Sequence, residues 1–432
     1  MASKMPPEVQ RIVDLTAKHN KWRKKETLNM IASENVTSPI VELVYLSDAM
    51  HRYAEGMPFK RYYQGTKYID ELEVYCNELM SKLFGAKYVD CRPTSGTLAN
   101  ATVFHVLGKN GDTSCIVPLP GGGHVSHSEY GIMGALGIKP VPLAFDEEAF
   151  NIDVDLSRKI INEVKPKFIV LGASVIIFPH PVKEIKEIAQ EVDAPVIFDA
   201  AHVLGLIAGK VYPDPFKDGA DVVTSSTHKT FPGPQGGVIM TNREDIYKKV
   251  KRKVFPVFVS NHHLHRLAAT AMTAVEMMYF GEEYARQVVR NAKKLAEELH
   301  ARGFKVLGEG YGFTETHQVL VDVREQGGGA YSAERLEEAN IIVNKNMLPW
   351  DTPDMIKNPS GLRIGVQELT RIGMREDEMI QVAQFFEKVL IKKEDPAEVR
   401  KEVVEFRKNF QEVHYTFKVD TRELADKLSL GV

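Results

Sequence analysis

Cysteine is scarce in this chain: the sequence holds only Cys76, Cys91 and Cys115, with no CxxC pair among them. That excludes a disulfide framework and a thiolate metal centre, and reads as buried thiols in a reducing compartment. An excess of one charge is missing too. Basic residues number 55 and acidic residues 58, a formal net charge of −3. Neither a nucleic-acid coat nor an anionic-membrane binder is expected from that balance. No apolar run approaches the roughly 18 residues of a membrane span. The opening MASKMPPEVQ has no apolar stretch of the kind a secretory leader carries, so a cytoplasmic protein is expected. Repeats and low-complexity tracts are absent.

What the chain does have is bulk. Its 432 residues, 44% of them apolar and 26% charged, exceed one small core, so two or more domains follow. Residues 1–50 read as an N-terminal arm, with Ile12, Leu15 and Trp22 loosely spaced and Pro39 opening a further segment. Residues 51–280 read as a large domain. Ile69, Leu72, Tyr75, Leu79 and Leu83 keep a helical period that stops at Gly85. Between Ser114 and Met240 short apolar runs alternate with helical patterns. The clearest unit runs from Phe168–Leu171 through a helix bearing Val182, Ile185, Ile188, Ala189 and Val192 to a strand ending at Asp199. That β-α-β order predicts an α/β architecture with a mostly parallel sheet. Residues 281–432 read as a smaller C-terminal α+β domain. Helical runs at 267–278 and 284–300 lead into it, strand candidates follow at 319–323 and 341–343, and a charged, solvated helix is expected over 392–408.

Two residues carry the chemistry. Lys229 follows the apolar pair Val222-Val223 in TSSTHKT, and Asp199 closes the strand PVIFD. Ligands of parallel sheets bind at the carboxyl ends of strands, where both residues fall. A lysine for an aldehyde and a carboxylate for a pyridine nitrogen together suggest pyridoxal phosphate. Taken singly, Lys229 also reads as a loop lysine and Asp199 as a turn former. Ser95-Gly96-Thr97, opening a helix, suit a phosphate and equally a plain N-cap. His124, after three glycines, suits a place over the cofactor ring. His202 suits its phenolate oxygen, or a structural role. Arg363 in GLRIG suits a substrate carboxylate, or a salt bridge. Tyr53, Glu55, Arg61, Tyr62 and Tyr63 form a polar cluster fit for acid–base work, or a surface loop.

Taken in order, the strings IASEN, RYAEG, KRYYQGTKYIDELE, PTSGTLAN, GGGHVSH, DAAHVLGLIAG, THKTFPGPQGG and GLRIG closely resemble serine hydroxymethyltransferase. The resemblance spans about residues 29 to 375. It implies the aspartate-aminotransferase type of pyridoxal-phosphate fold, a homodimer or larger assembly, and serine–glycine interconversion with transfer of one carbon to a reduced pterin. Lys229 then matches the cofactor lysine, Asp199 the pyridinium partner and His124 the stacking histidine. Ser95, Gly96 and Thr97 match the phosphate site, with Thr227 and Asn261 as further cofactor contacts. Ser174 and His202 match groups around the phenolate oxygen. Ser33, Tyr63 and Arg363 match substrate contacts. Tyr53, Glu55, Tyr62 and Tyr63 match residues lent by a neighbouring subunit. Glu55 is the acid–base candidate, and Tyr53 and His228 join the catalytic set. Leu119, Gly123, Val125, Asn346, Glu55 and Tyr62 fall where the family meets its pterin. No metal is implied.

The chain departs from the family in two places. Gln235 stands where arginine is usual, and Phe255-Pro256 leads into Val257–His262 without a glycine. Such divergence resembles the archaeal branch, whose carrier can be a tetrahydromethanopterin type rather than tetrahydrofolate. An aldolase or aminotransferase on the same fold is the nearest rival. A non-catalytic RNA-binding relative is the more distant one, and it lacks a basic excess to support it.

Overall fold

Runs rich in valine and isoleucine with no polar alternation need cover on both faces. In the computed structural model, which describes residues 5–431, these runs form the middle of a seven-stranded sheet. Its strands are β1 (Tyr88–Asp90), β2 (Thr113–Ile116), β3 (Lys139–Pro142), β4 (Phe168–Leu171), β5 (Val196–Asp199), β6 (Val222–Ser226) and β7 (Gly237–Thr241). They lie in the order β1-β7-β6-β5-β4-β2-β3. Strands β2 to β6 pair in parallel, and β7 runs against its neighbours β6 and β1. Every residue of β4, β5 and β6 is buried. This is the α/β fold that the β-α-β pattern predicts.

Helices supply the cover. They include α1 (Pro7–Lys21), α2 (Pro39–Tyr45), α3 (Lys67–Phe84), α4 (Gly96–Leu107), α5 (Val182–Glu191), α6 (His265–Ala301) and α7 (Pro396–Arg407). On α5, Val182, Ile185, Ile188 and Ala189 form the buried stripe, the spacing of one helical face. Helix α6 packs on α3 and α2. The two helical runs expected over 267–300 are one helix, so residue 280, the expected domain boundary, lies inside it. Gly281 lies within α6, and the backbone of Gly209 approaches it there. A Cβ on Gly209 would stand 2.4 Å from the Gly281 carbonyl.

A second sheet contains β8 (Lys305–Val306), β9 (Gln318–Asp322), β10 (Asn344–Asn346) and β11 (Gly361–Gly365), antiparallel throughout, in the order β8-β9-β11-β10. The strand candidate near 341 exists but pairs elsewhere: Ile341 and Ile342 lie parallel to Leu28 and Asn29 of the N-terminal segment. Helix α1, in contrast, buries no residue. The charged segment after residue 392 is not simply solvated. Helix α7 buries Val399 and Val403, and the Arg407 guanidinium donates to the carbonyls of Thr27 (2.7 Å) and Lys24 (2.8 Å). The three cysteines are free and buried. Among the described residues no helix is long and apolar enough to cross a membrane.

Candidate active site

Adjacent parallel strands β5 and β6 end in Asp199 and in the turn that carries Lys229. That turn closes on itself. The Thr227 hydroxyl donates to the Pro234 carbonyl (2.7 Å), and the Gly233 amide donates to the Thr227 carbonyl (3.0 Å). Asn35 fixes the lysine's backbone, its Nδ2 donating to the Lys229 carbonyl (2.7 Å) and to the buried Tyr284 hydroxyl (2.8 Å). Burial, reinforced by the Arg363 charge and opposed by Asp199, lowers the Lys229 amine to about 8. A larger neutral fraction of the amine is the state a nucleophile needs.

Asp199 is buried, which by itself would raise its carboxyl pKa, yet the net direction is down because hydrogen bonds outweigh burial. His127 Nε2 lies 3.1 Å from Asp199 Oδ2, Asn100 Nδ2 donates to the same oxygen at 2.8 Å, and the Ala201 amide donates to Oδ1 at 3.0 Å. Thr224 Oγ1 donates to Asn100 Oδ1 (2.6 Å), which aims the asparagine NH₂ at the carboxylate. Gly172 lets the next loop pass: a Cβ there would lie 2.0 Å from the Asp199 carbonyl, at a φ of +88°. The result is a buried, ionised acid.

Histidines surround this pair. His124 Nδ1 accepts from the Ser126 amide (3.1 Å), and burial lowers its pKa to about 4, so the ring is neutral at pH 7. His228, beside the lysine, is lowered to about 4 by burial, and its Nδ1 lies 3.4 Å from the Gly236 amide. His202 is buried and pushed well below its ordinary value by that burial. Arg363 on β11 donates to two neutral oxygens, the Ser174 carbonyl (2.8 Å) and Asn344 Oδ1 (3.2 Å). Burial lowers it to about 10. A guanidinium drawn inward with its charge unmatched by a carboxylate suits an anionic ligand. Ser33 follows Ala32, whose carbonyl lies 3.1 Å from His317 Nε2 beside β11.

At the start of α4, Ser95 Oγ accepts the Leu98 amide (3.1 Å) and the Ser95 carbonyl accepts the Ala99 amide (3.1 Å). The amides of Gly96 and Thr97 stay outside the helix's own ladder, as first-turn amides do, and a phosphate would find them there. Ser95 is thus an N-cap, and the first turn keeps donors outside the helix ladder. The donor set therefore fits pyridoxal phosphate: a partly neutral amine, an ionised acid, a neutral ring and an anion seat.

The tyrosine–glutamate cluster makes its own contacts. Glu55 accepts from the Ser260 hydroxyl and lies 3.5 Å from the Tyr63 hydroxyl. Tyr53 and Tyr63 approach with centroids 5.4 Å apart. Tyr62 is 75% exposed. No hydrogen bond among the described residues joins this cluster to Lys229, Asp199 or Arg363 within one chain. Arg61 anchors it from below, donating to Asp70 (2.7 Å), Glu73 (2.6 Å) and the carbonyls of Ala54 and Gly56. Asn261 also serves this region: its Oδ1 accepts the Ala54 amide and its Nδ2 donates to the Arg52 carbonyl, both at 3.0 Å. Leu119 and Val125 are exposed on either side of Gly123, and Asn346 Nδ2 donates to the Met347 carbonyl (2.6 Å). Gln235 is exposed beside a groove lined by Lys24, Val41, Glu42 and Tyr45.

Asn35, Asn100, His127, His317 and Gln318 carry much of the site's bonding, and sequence reasoning assigned none of them a role. The first three stand inside the strings IASEN, PTSGTLAN and GGGHVSH, so their positions were in view. His317 and Gln318 open a strand with no motif around them.

Three comparisons bear on this geometry. The sequence profile of serine hydroxymethyltransferase matches residues 5–386. A serine hydroxymethyltransferase of Staphylothermus marinus is 60% identical over 421 residues, covering 98% of this chain and 96% of that protein. One from Aeropyrum pernix is 57% identical over 428 residues, covering 98% and 97%. Among solved structures, the L-threonine transaldolase of Pseudomonas fluorescens in its internal aldimine state superposes with a TM-score of 0.88 at 28% identity, covering 98% of this chain and 97% of that one.

Proposed function

The chain belongs to the serine hydroxymethyltransferase family, and from that premise we propose that the site described above interconverts serine and glycine and passes the one-carbon unit to a reduced pterin. The observation that carries the reading is the neighbouring pair at the ends of β5 and β6: an ionised, buried Asp199 and a Lys229 whose amine titrates at about 8. Pyridoxal phosphate, when bound, supplies a sink for the electron pair left on the amino-acid Cα.

In this reading each side chain has one task. Lys229 would hold the cofactor's aldehyde carbon through its amine and give it up to the substrate amine. Asp199 would accept a hydrogen bond from the pyridine N–H, and its negative charge would keep that nitrogen protonated. His124 would cover one ring face, with Nδ1 already committed to the Ser126 amide. Ser95 and the first amides of α4, with Thr97, would take the phosphate; Ser174 and His202 would stand near the phenolate oxygen. Thr227 and His228 would shape the lysine's turn. Arg363, with Ser33 and Tyr63, would grip the substrate carboxylate.

We further infer a homodimer with shared sites. The support is that Glu55, Tyr53, Tyr62 and Tyr63 form a preassembled, outward-facing cluster without a hydrogen bond to its own chain's lysine among the described residues. From a partner subunit, Glu55 would move the proton of the substrate hydroxyl. Leu119, Gly123, Val125 and Asn346, with Glu55 and Tyr62, would border the pterin, of the tetrahydrofolate or tetrahydromethanopterin type, in a cytoplasmic enzyme. Asn261 would act on the site by holding residues 52–54. The chain would divide at residues 50 and 280, with α6 common to the last two parts.

The likeness to a threonine transaldolase supports one second reading, aldol-type cleavage without a pterin. The deciding assay follows glycine formation from serine with tetrahydrofolate, with tetrahydromethanopterin and with neither. Pterin-dependent turnover is expected. Equal rates in all three would favour the aldol reading, and no turnover in any would sink both.

A further inference from the structure

Gln318, the first residue of β9, is fully buried and makes three side-chain contacts. Its Oε1 accepts the Ile176 amide at 2.8 Å. Its Nε2 donates to the Ser174 carbonyl at 3.0 Å and lies 2.9 Å from His202 Nδ1. The first two partners have fixed polarity: a backbone amide only donates and a carbonyl only accepts. They determine which end of the carboxamide is oxygen. The NH₂ end therefore faces His202, so Nδ1 of that ring must accept. A neutral imidazole with Nδ1 accepting carries its proton on Nε2.

A second group agrees. His317 stacks on His202 with ring centroids 5.5 Å apart. Its Nε2 lies 3.1 Å from the Ala32 carbonyl, which requires a proton on that nitrogen, and 3.4 Å from His202 Nδ1. With that proton given to Ala32, His317 Nε2 has no lone pair to receive a hydrogen from His202 Nδ1. The Ser174 carbonyl that takes one Gln318 hydrogen also takes the Arg363 guanidinium. One carboxamide from the small sheet fixes a histidine of the large domain and the loop on which the anion-binding arginine leans.

We propose that Gln318 is a positioning residue: it holds His202 as an Nε2–H donor and ties that choice, through the Ser174 carbonyl, to the seat of Arg363. The proposal rests on the reading of His202 and Arg363 given above for its kinetic consequence, but the proton's place on His202 does not depend on that reading. Gln318→Glu keeps the shape and the acceptor for Ile176 while removing both donors. Its carboxylate repels the Ser174 carbonyl and calls for a proton on His202 Nδ1. Gln318→Met keeps the length and removes every hydrogen bond.

The test is ¹⁵N NMR of histidine-labelled holoenzyme, with the His202 resonances assigned by their loss in His202→Gln, alongside serine kinetics. In wild type, His202 Nδ1 is expected as the unprotonated, pyridine-type nitrogen and Nε2 as the N–H. In Gln318→Glu the proton is expected on Nδ1. In Gln318→Met, KM for serine is expected to rise about tenfold, the worth of one hydrogen bond, with kcat within about twofold. A proton on Nδ1 in wild type overturns the proposal without any variant. An unmoved proton in Gln318→Glu, or an unchanged KM in Gln318→Met, overturns it as well. If wild type bound no B6 cofactor and turned over no serine, the functional reading would fall while the NMR result still decided the tautomer.

Discussion

His127 Nε2 and Asp199 Oδ2 lie 3.1 Å apart in the site, and the imidazole's other nitrogen has no hydrogen-bond partner among the described residues. The same His127 nitrogen lies 3.3 Å from Asn100 Nδ2, which also holds the carboxylate. This pairing keeps the acid ionised despite its burial. It makes a pH-dependent contribution to stability whose sign can be worked out. The folded carboxyl pKa is depressed, so the stabilisation is complete above the unfolded value of about 3.9. It is lost as pH falls from there through the folded value. His127→Phe should cost about 1.5–3 kcal/mol at pH 7, the range for a hydrogen bond to a charged group. The gap from wild type should narrow on acidification. Denaturant titrations at pH 7 and at lower pH check this; a gap that stays constant would show that the bond does not act on the carboxylate's charge.

Lys229→Ala should abolish the lysine imine absorbance and cut serine turnover to below about one thousandth of wild type. Absorbance spectra and a glycine-formation assay read the two effects. Full activity in the variant would refute the assignment of the lysine.

Asp199→Ala should retain part of the cofactor and lose most of the rate, because the pyridine nitrogen then lacks its anionic partner. The expected pattern is measurable B6 by mass spectrometry with kcat lowered by about a hundredfold or more. A wild-type rate would remove the electronic role given to this acid.

Arg363→Lys keeps a positive charge but loses the fork that meets a carboxylate with two parallel bonds. KM for serine should rise about 10- to 100-fold, the worth of one charge-assisted hydrogen bond, with kcat changed less. Steady-state kinetics at several serine concentrations separate the two parameters. A drop in kcat alone would assign Arg363 to a later step.

Away from the site, Glu276 and Arg371 form a fully buried ion pair at 2.6 Å. The same carboxylate accepts from Ser38 Oγ at 2.6 Å and from the Thr416 hydroxyl, and Arg371 donates to the Tyr415 carbonyl. Glu276→Gln leaves the guanidinium buried without its counter-charge and should cost about 3–5 kcal/mol. Chemical denaturation measures the loss. A change below about 1 kcal/mol would show that Arg371 finds another partner.

The sheet was legible in the sequence where composition was extreme. Phe168–Leu171 is apolar throughout and Val196–Asp199 is apolar up to its closing acid, and they are β4 and β5. The helix through residue 280 was not legible as one piece, because a glycine inside a helical pattern gives no sign that another backbone rests against it. Lys229, Asp199, His124 and Arg363 could be named because Lys229 and Asp199 close neighbouring strand-like runs and all four stand inside the ordered strings. Asn35, Asn100 and Gln318 could not. An amide acts through which neighbour it faces, and that neighbour lies far away in the chain. The helix after residue 392 misled through its charges: Arg407 is buried because it satisfies the carbonyls of Lys24 and Thr27, a use invisible in composition.

One short ribbon near the N-terminus has a mechanical consequence. Leu28 and Asn29 lie alongside Ile341 and Ile342, and the Met30 carbonyl accepts the Gly365 amide. A few residues later Asn35 grips the backbone of the lysine. Six residues reach at most about 20 Å even when taut. Any rocking of the C-terminal sheet must therefore be taken up within that span or arrive as a tug on the strand-end turn that carries the nucleophile.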